Sequence, residues 1–145
     1  MELQSLKLIV TDTDANQLLR EFAPKDLEIG KPAIHFTAEG VRVTGETTAL
    51  LFKVSFETLW TVALADGCVV ARLNSLKVAG IPAGKLRGVL LKVLRDALPK
   101  EPGIRVEDEV VRVDLNEVLR KREVPLLVRL TAVRCVEGSI VIEAG

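Results

Sequence analysis

An antiparallel α+β fold is what this sequence predicts, on three observations. Glu39-Gly40, Asp66-Gly67 and Glu137-Gly138 each stand between short apolar runs, and glycine there supplies the positive φ that tight hairpins require. Between the first two turns, Leu50, Phe52, Val54, Phe56, Trp60, Val62 and Leu64 fall on even positions, while Lys53, Ser55, Glu57 and Thr61 fall on odd ones. That is the two-residue period of a strand with one apolar face. Ala83 to Leu98 instead carries Leu86, Val89, Leu90, Val93, Leu94, Ala97 and Leu98 at helical spacing. The 145 residues read as one domain, 1–145, able to bury roughly two-thirds of its unfolded surface without disulfides or a structural metal.

Residues 3 to 11 alternate Leu6, Leu8 and Val10 against Ser5, Lys7 and Ile9, which predicts a half-buried strand. Thr11 or Thr13 then offers an N-cap to a short helix, whose Ala15, Leu18, Leu19 and Phe22 form one stripe before Pro24 stops it. Ile34 to Ala38 and Val41 to Thr44 flank the Glu39-Gly40 turn as the first hairpin. The even-numbered run that follows spans roughly 50 Å if fully extended, at about 3.3 Å per residue, well beyond an ordinary strand. It is therefore either one long curved strand or two strands with a bend near Glu57-Thr58. Four of the five aromatic residues lie in or beside it.

The helix over 83–98 is the main one, entered at Pro82 and ended by Pro99. With Leu91 included, its apolar arc covers roughly 200°, about twice what a helix resting on a flat sheet needs. A strongly curved sheet, a second subunit or a bound apolar ligand would each cover the excess. Ile104 to Val113 reads as a strand, and Asp114-Leu115-Asn116-Glu117 has the form of a capping box opening a third, short helix through Arg120. Pro125 begins the final strands. Leu126, Val128 and Leu130 share one parity whereas Val133 and Cys135 share the other, which predicts a bulge near Thr131-Ala132. Finally, Asp14-Ala15-Asn16-Gln17-Leu18-Leu19-Arg20 aligns with Asp114-Leu115-Asn116-Glu117-Val118-Leu119-Arg120 without a gap. Each copy follows a strand and precedes a Glu-Gly hairpin, so one strand-helix-hairpin unit is used twice.

Composition excludes several functions. Forty-eight per cent hydrophobic residues are too many for a disordered chain, yet no apolar run approaches the roughly 18 to 20 residues that span a bilayer. Twenty basic side chains balance twenty acidic ones, which removes the electrostatic footprint of a nucleic-acid binder. The N-terminus Met1 to Lys7 lacks the basic and apolar regions of a secretory signal, so a reducing cytoplasm is expected. Cys68 and Cys135 have no Cys or His at metal-ligand spacing and read as buried thiols. His35, the one imidazole, reads as a half-exposed strand residue rather than a catalytic base, and no nucleophile, acid and base converge. Gly80 to Lys85 is one residue short of a phosphate-binding loop, with Leu86 where Ser or Thr would stand. The acidic run Glu107-Asp108-Glu109 reads as a solvated loop or strand edge, and Asp12 and Asp14 as helix-terminal acids. No catalytic residue, metal site or cofactor is expected.

Val43-Thr44-Gly45 through Phe56, Leu64 through Arg72, Gly103 to Glu107 leading into Val113-Asp114-Leu115, and the tail Leu130 to Glu143 together carry a resemblance. In order and spacing they resemble the TULIP (tubular lipid-binding) superfamily and, within it, the LmeA-like bacterial proteins. The resemblance covers most of the chain through apolar positions and turns. It implies a long antiparallel sheet curved around the main helix, enclosing an apolar groove for acyl chains. The expected function is non-enzymatic binding of a lipid or other apolar ligand. Leu50, Phe52, Val54, Phe56 and Trp60 would contact it from the sheet, and Leu86, Leu90, Val93 and Leu94 from the helix. Arg87, Lys92 and Arg95 line the less apolar side of that helix, where they would meet an anionic headgroup or a membrane surface. The alternative is an assembly module, a homodimer in the simplest case, whose apolar surface is covered by another chain.

Overall fold

The computed structural model describes residues 5–22, 29–49, 52–78, 87, 88, 91, 92, 95 and 103–145. In chain order the elements are β1 (Leu6–Thr11), α1 (Asp12–Phe22), β2 (Gly30–Thr37), β3 (Gly40–Ala49), β4 (Phe52–Ala65), β5 (Cys68–Val78), β6 (Ile104–Glu107), β7 (Val110–Val113), α2 (Leu115–Lys121), β8 (Leu130–Val136) and β9 (Ser139–Ala144). They form two antiparallel sheets, of order β1-β9-β8 and β2-β3-β4-β5-β7-β6. Among the described residues these elements are mostly antiparallel sheet with two short continuous helices, in keeping with the α+β expectation. Of the stretch expected as the main helix, Arg87, Gly88, Leu91, Lys92 and Arg95 are helical. Its apolar positions Leu86, Val89, Leu90, Val93 and Leu94 lie outside the described residues, as does Leu50.

All three glycine hairpins form, with Thr37 opposite Gly40, Ala65 opposite Cys68 and Val136 opposite Ser139. At the second, Asp66 and Gly67 take φ of 51° and 76°, the pair of positive angles a two-residue turn between twisted strands requires. From Phe52 to Leu64 the run of even-numbered apolar residues is one strand, β4, with a register shift against β5 between Leu59 and Trp60. There Leu59 faces Ser75 and Trp60 faces Leu73, so Asn74 is the extra residue. This resets the pleat of β5 and lets both Leu73 and Leu76 be buried on the Trp60 side. The bulge expected near Thr131-Ala132 is present, since Leu130 pairs with Ala144 and Ala132 with Glu143.

Two expectations are corrected. Ile104 to Val113 is not one strand but the hairpin β6–β7, in which Glu107 faces Val110 across Asp108 and Glu109. Asp108 carries a positive φ, 50°, with no glycine in the turn, a conformation Asp tolerates better than most residues. The last strands begin at Leu130 rather than at Pro125. Val128 spends its backbone hydrogen bonds on the Asn116 side chain instead of on a neighbouring strand.

Apolar burial follows the pleat. One cluster joins Ala15 of α1, Phe36 of β2 and Ile140 of β9, with Val10, Ile34, Val41, Val62, Val133 and Cys135 packed around it, and it fills the space between the two sheets. A second, separate cluster joins Phe56 and Leu76, with Ile29 and Val78 against them. Gly45 lies directly opposite Phe56, and a Cβ there would fall 2.7 Å from Ile29 Cγ2 and 2.9 Å from Phe56 Cζ. The missing side chain is what lets the Phe56 ring lie across β3.

The repeat seen in the sequence is a repeat in space. Unit one is β1-α1-β2-β3 and unit two is β7-α2-β8-β9. Each unit sends its first strand to the other sheet: β1 pairs with β9 of unit two, and β7 joins the sheet built on the β2–β3 hairpin, with β4 and β5 between. The two units are therefore interlocked rather than side by side.

Candidate functional site

The inner face of β4 is where the sequence reading puts ligand contacts. Phe56 and Trp60 are buried, at 5% and 6% exposure, Val54 is half-buried, and all three project to one face of the strand. Trp60 Nε1 donates to Thr58 Oγ1 at 2.9 Å, and that hydroxyl donates to the Val43 carbonyl at 2.9 Å. The indole N–H is thereby satisfied inside an otherwise apolar wall. Phe52 lies at the start of the same strand, opposite Ala49. Of the three cations expected to meet a headgroup, Arg87 is already engaged, with Nε bound to Glu109 Oε1. This pair holds the Glu109 carboxyl below the usual carboxylate range and ties the helical stretch to the β6–β7 turn. Lys92 and Arg95 are exposed.

The polar constellation that the sequence did not reveal lies where α1, β2 and the β8–β9 turn meet. Asp12 opens α1, where its carboxylate accepts from Phe36 N–H at 2.7 Å through Oδ1 and reaches His35 Nδ1 at 2.5 Å through Oδ2. On the other side of the ring, His35 Nε2 is 3.0 Å from Glu137 Oε1. The backbone closes the same junction: Asp12 N–H donates to Gly138 O at 3.1 Å, and Gly138 N–H donates to Phe36 O at 2.9 Å. Arg42, the cross-strand neighbour of His35, is paired with Glu57 at 3.1 Å. The imidazole is half-exposed, as expected, but it is clamped between two carboxylates from opposite ends of the chain.

Only the imidazolium has a proton on each ring nitrogen, so only the charged form donates to both acids. The Asp12 hydrogen bond, with a smaller contribution from Glu137, raises the His35 pKa above its ordinary 6.5. A group whose folded-state pKa is raised stabilises the fold fully below its unfolded pKa and loses that contribution as pH rises through the folded value. Stability should therefore fall from about pH 6 upward as His35 deprotonates. Urea midpoints measured at pH 6 and pH 8.5 should differ for the wild type and converge in His35→Gln; equal slopes in both proteins would remove His35 as the cause.

Each unit carries a second, shared device. Asn16 Nδ2 donates to the Ile34 carbonyl and Asn16 Oδ1 accepts from Ile34 N–H, both at 2.8 Å. Asn116 makes the same pair with Val128, at 2.8 and 2.7 Å. The neighbouring Asp of the repeat does not keep one role. Asp14 exchanges hydrogen bonds with Thr11 across the first turn of α1, whereas Asp114 is itself the N-cap of α2, accepting from Glu117 N–H at 3.2 Å. Asp114 N–H is taken by the Gly103 carbonyl, so only one arm of the expected capping box forms.

Beside Asn116 the surface opens into a cavity of about 420 Å³ whose lining includes Leu127, Arg129 and Leu130, with Gly67 and Gly145 at its edge. A neighbouring hollow of about 280 Å³ shares Asn116 and Leu127 and is lined by Arg120 and Val124 as well. Cys68 is buried, and burial pushes the Cys135 thiol up. Among the described residues no group of three His, Cys, Asp or Glu is arranged to hold a metal ion, and no helix is long and apolar enough to cross a membrane. No family model, curated protein or solved structure matches the chain.

Proposed function

We propose that the protein is a non-enzymatic binder of a lipid or other apolar ligand, held along the inner face of β4. In this reading the stretch 83–98 is a helix laid against that face and the six-stranded sheet curves around it, as the resemblance to tubular lipid-binding proteins implies. The observation that carries the reading is the second apolar cluster. Phe56 and Leu76 are buried on the inner face, yet no described residue of β1, β8 or β9 belongs to their cluster. The core between the sheets does not account for them. Support also comes from Arg87, Gly88, Leu91, Lys92 and Arg95 being helical, with Arg87 tethered to Glu109.

Assembly is the second reading, favoured by β1. This edge strand exposes Leu6, Leu8 and Ile9 at 40%, 46% and 53%, and a second copy pairing along it would cover them. Native mass spectrometry of the full chain, with organic extraction of the same sample, separates the two. A monomer carrying an extractable apolar molecule is the expected result; an empty dimer supports assembly, and an empty monomer overturns both. Phe56 is too deeply buried for a charge to leave the fold intact, so the half-buried Val54 is the position to test. Val54→Asp should abolish uptake of a fluorescent fatty acid while leaving the thermal transition in place.

A further inference from the structure

We propose that Arg105 and Arg112, with Arg72 beside them, hold a phosphate group on the face of the six-stranded sheet opposite Trp60. Register fixes the arrangement. Arg105 faces Arg112 across the β6–β7 hairpin, and Arg112 faces Val70 on β5, two positions from Arg72. Thr61 faces Arg72 while Trp60 faces Leu73, so the three arginines stand on the odd-numbered side of β4, away from the apolar wall. Residues directly opposite in an antiparallel pair have Cβ atoms about 5 Å apart, and diagonal neighbours about 7–8 Å, within reach of long side chains. Three guanidinium groups can therefore meet over one point.

Like charges set opposite one another destabilise a sheet, and here nothing in the chain relieves them. The guanidinium groups of Arg72, Arg105 and Arg112 make no ion pair or hydrogen bond among the described residues. Two other arginines show what the chain does when it neutralises itself. Arg42 pairs with the diagonal Glu57, and Arg134 with the diagonal Glu143. Glu107 stands at the same diagonal from Arg112, yet that pair is not made. Glu109 is taken by Arg87, with the charge of Arg72 a smaller influence on its carboxyl.

The open set suits an anion with more than two oxygens. One guanidinium already satisfies a carboxylate with two parallel bonds, whereas a phosphate offers an oxygen to each fork and carries about −1.5 to −2 charges at neutral pH. Twenty basic side chains balanced by twenty acidic ones fit a single such group, not a nucleic-acid backbone. Arg105 is exposed on β6, the last strand of its sheet among the described residues, so the group approaches past that flank.

Inorganic phosphate is the probe, titrated at constant ionic strength into ¹⁵N-labelled full-length protein. Saturable shifts are expected at the Nε–H groups of Arg72, Arg105 and Arg112, with acetate much weaker. Arg112→Gln should weaken phosphate about tenfold, since a charge-assisted pair is lost. Without phosphate the same variant should unfold no lower than the wild type, because a like-charge pair is relieved. Glu107→Gln should tighten phosphate by removing the neighbouring negative charge. Vesicles of phosphatidylglycerol name the source of the group. Flotation lost in Arg105→Gln and Arg112→Gln assigns it to a lipid headgroup; binding of free phosphate with no Arg112-dependent flotation assigns it to a small phosphorylated molecule. Absence of saturable shifts, equal binding of acetate, or undiminished binding by Arg112→Gln would each overturn the site. None of these outcomes bears on the apolar ligand, which lies on the opposite face.

Discussion

Gly40→Ala is expected to abolish the fold. A Cβ at this position would stand 2.1 Å from the Trp60 carbonyl oxygen, a backbone atom that cannot rotate away, and Gly40 has a φ of +148°. Relief requires β3 and β4 to separate at the point where Val41 pairs with Trp60. The loss should exceed about 4 kcal/mol, which is a large part of the total stability of an ordinary domain. Gly67→Ala is the matched control. It too has a positive φ, +76°, but nothing lies within 4 Å of the added carbon. Backbone strain alone should then cost about 1–2 kcal/mol. Urea unfolding followed through Trp60, the one tryptophan, reads both variants directly; a Gly40→Ala midpoint close to that of Gly67→Ala would show that the strands can part without penalty.

Asn16→Ala and Asn116→Ala are the next most damaging changes. Each leaves one backbone N–H and one carbonyl without partners, those of the half-buried Ile34 in β2 or of the buried Val128 ahead of β8, at about 1–3 kcal/mol per group. A loss of about 2–4 kcal/mol is expected for either, and the double variant should have no cooperative transition. Asn16→Asp sharpens the test. It keeps the acceptor for Ile34 N–H but turns a carboxylate toward the Ile34 carbonyl, so it should be no better than alanine. If Asn16→Asp behaves like the wild type, the donor half of the clamp carries no weight.

Local signals in the sequence were good guides to local structure. Turn glycines marked three hairpins, parity marked the inner face of β4, and a change of parity marked the bulge at Thr131. Each of these depends on residues that are neighbours along the chain. The β6–β7 turn was missed because Asp108 takes the positive φ that glycine would have advertised. The His35 junction was invisible for a different reason. Its partners Asp12 and Glu137 lie 23 and 102 positions away, and no periodicity links them. The Asn clamp sits between these extremes. The repeat singled out Asn16 and Asn116 as identical, but only the path of the following strand shows that both side chains serve as surrogate strand neighbours. Val54, Phe56 and Trp60 do share one face as their parity demanded; the helix positions paired with them in the sequence reading, Leu86, Leu90, Val93 and Leu94, lie outside the described residues.

The interlocking of the two units also bears on how the chain reaches its native state. Leu6 finds its partner in Ala144 and Thr11 in Ser139, so the first strand has no neighbour until the last has been made. The hairpins linking β2 through β5 close over short loops and can organise first, whereas the three-stranded sheet must wait for the longest closure in the molecule. Such a topology folds slowly for its size, and throughout that interval Leu6, Leu8 and Ile9 remain an open, sticky edge.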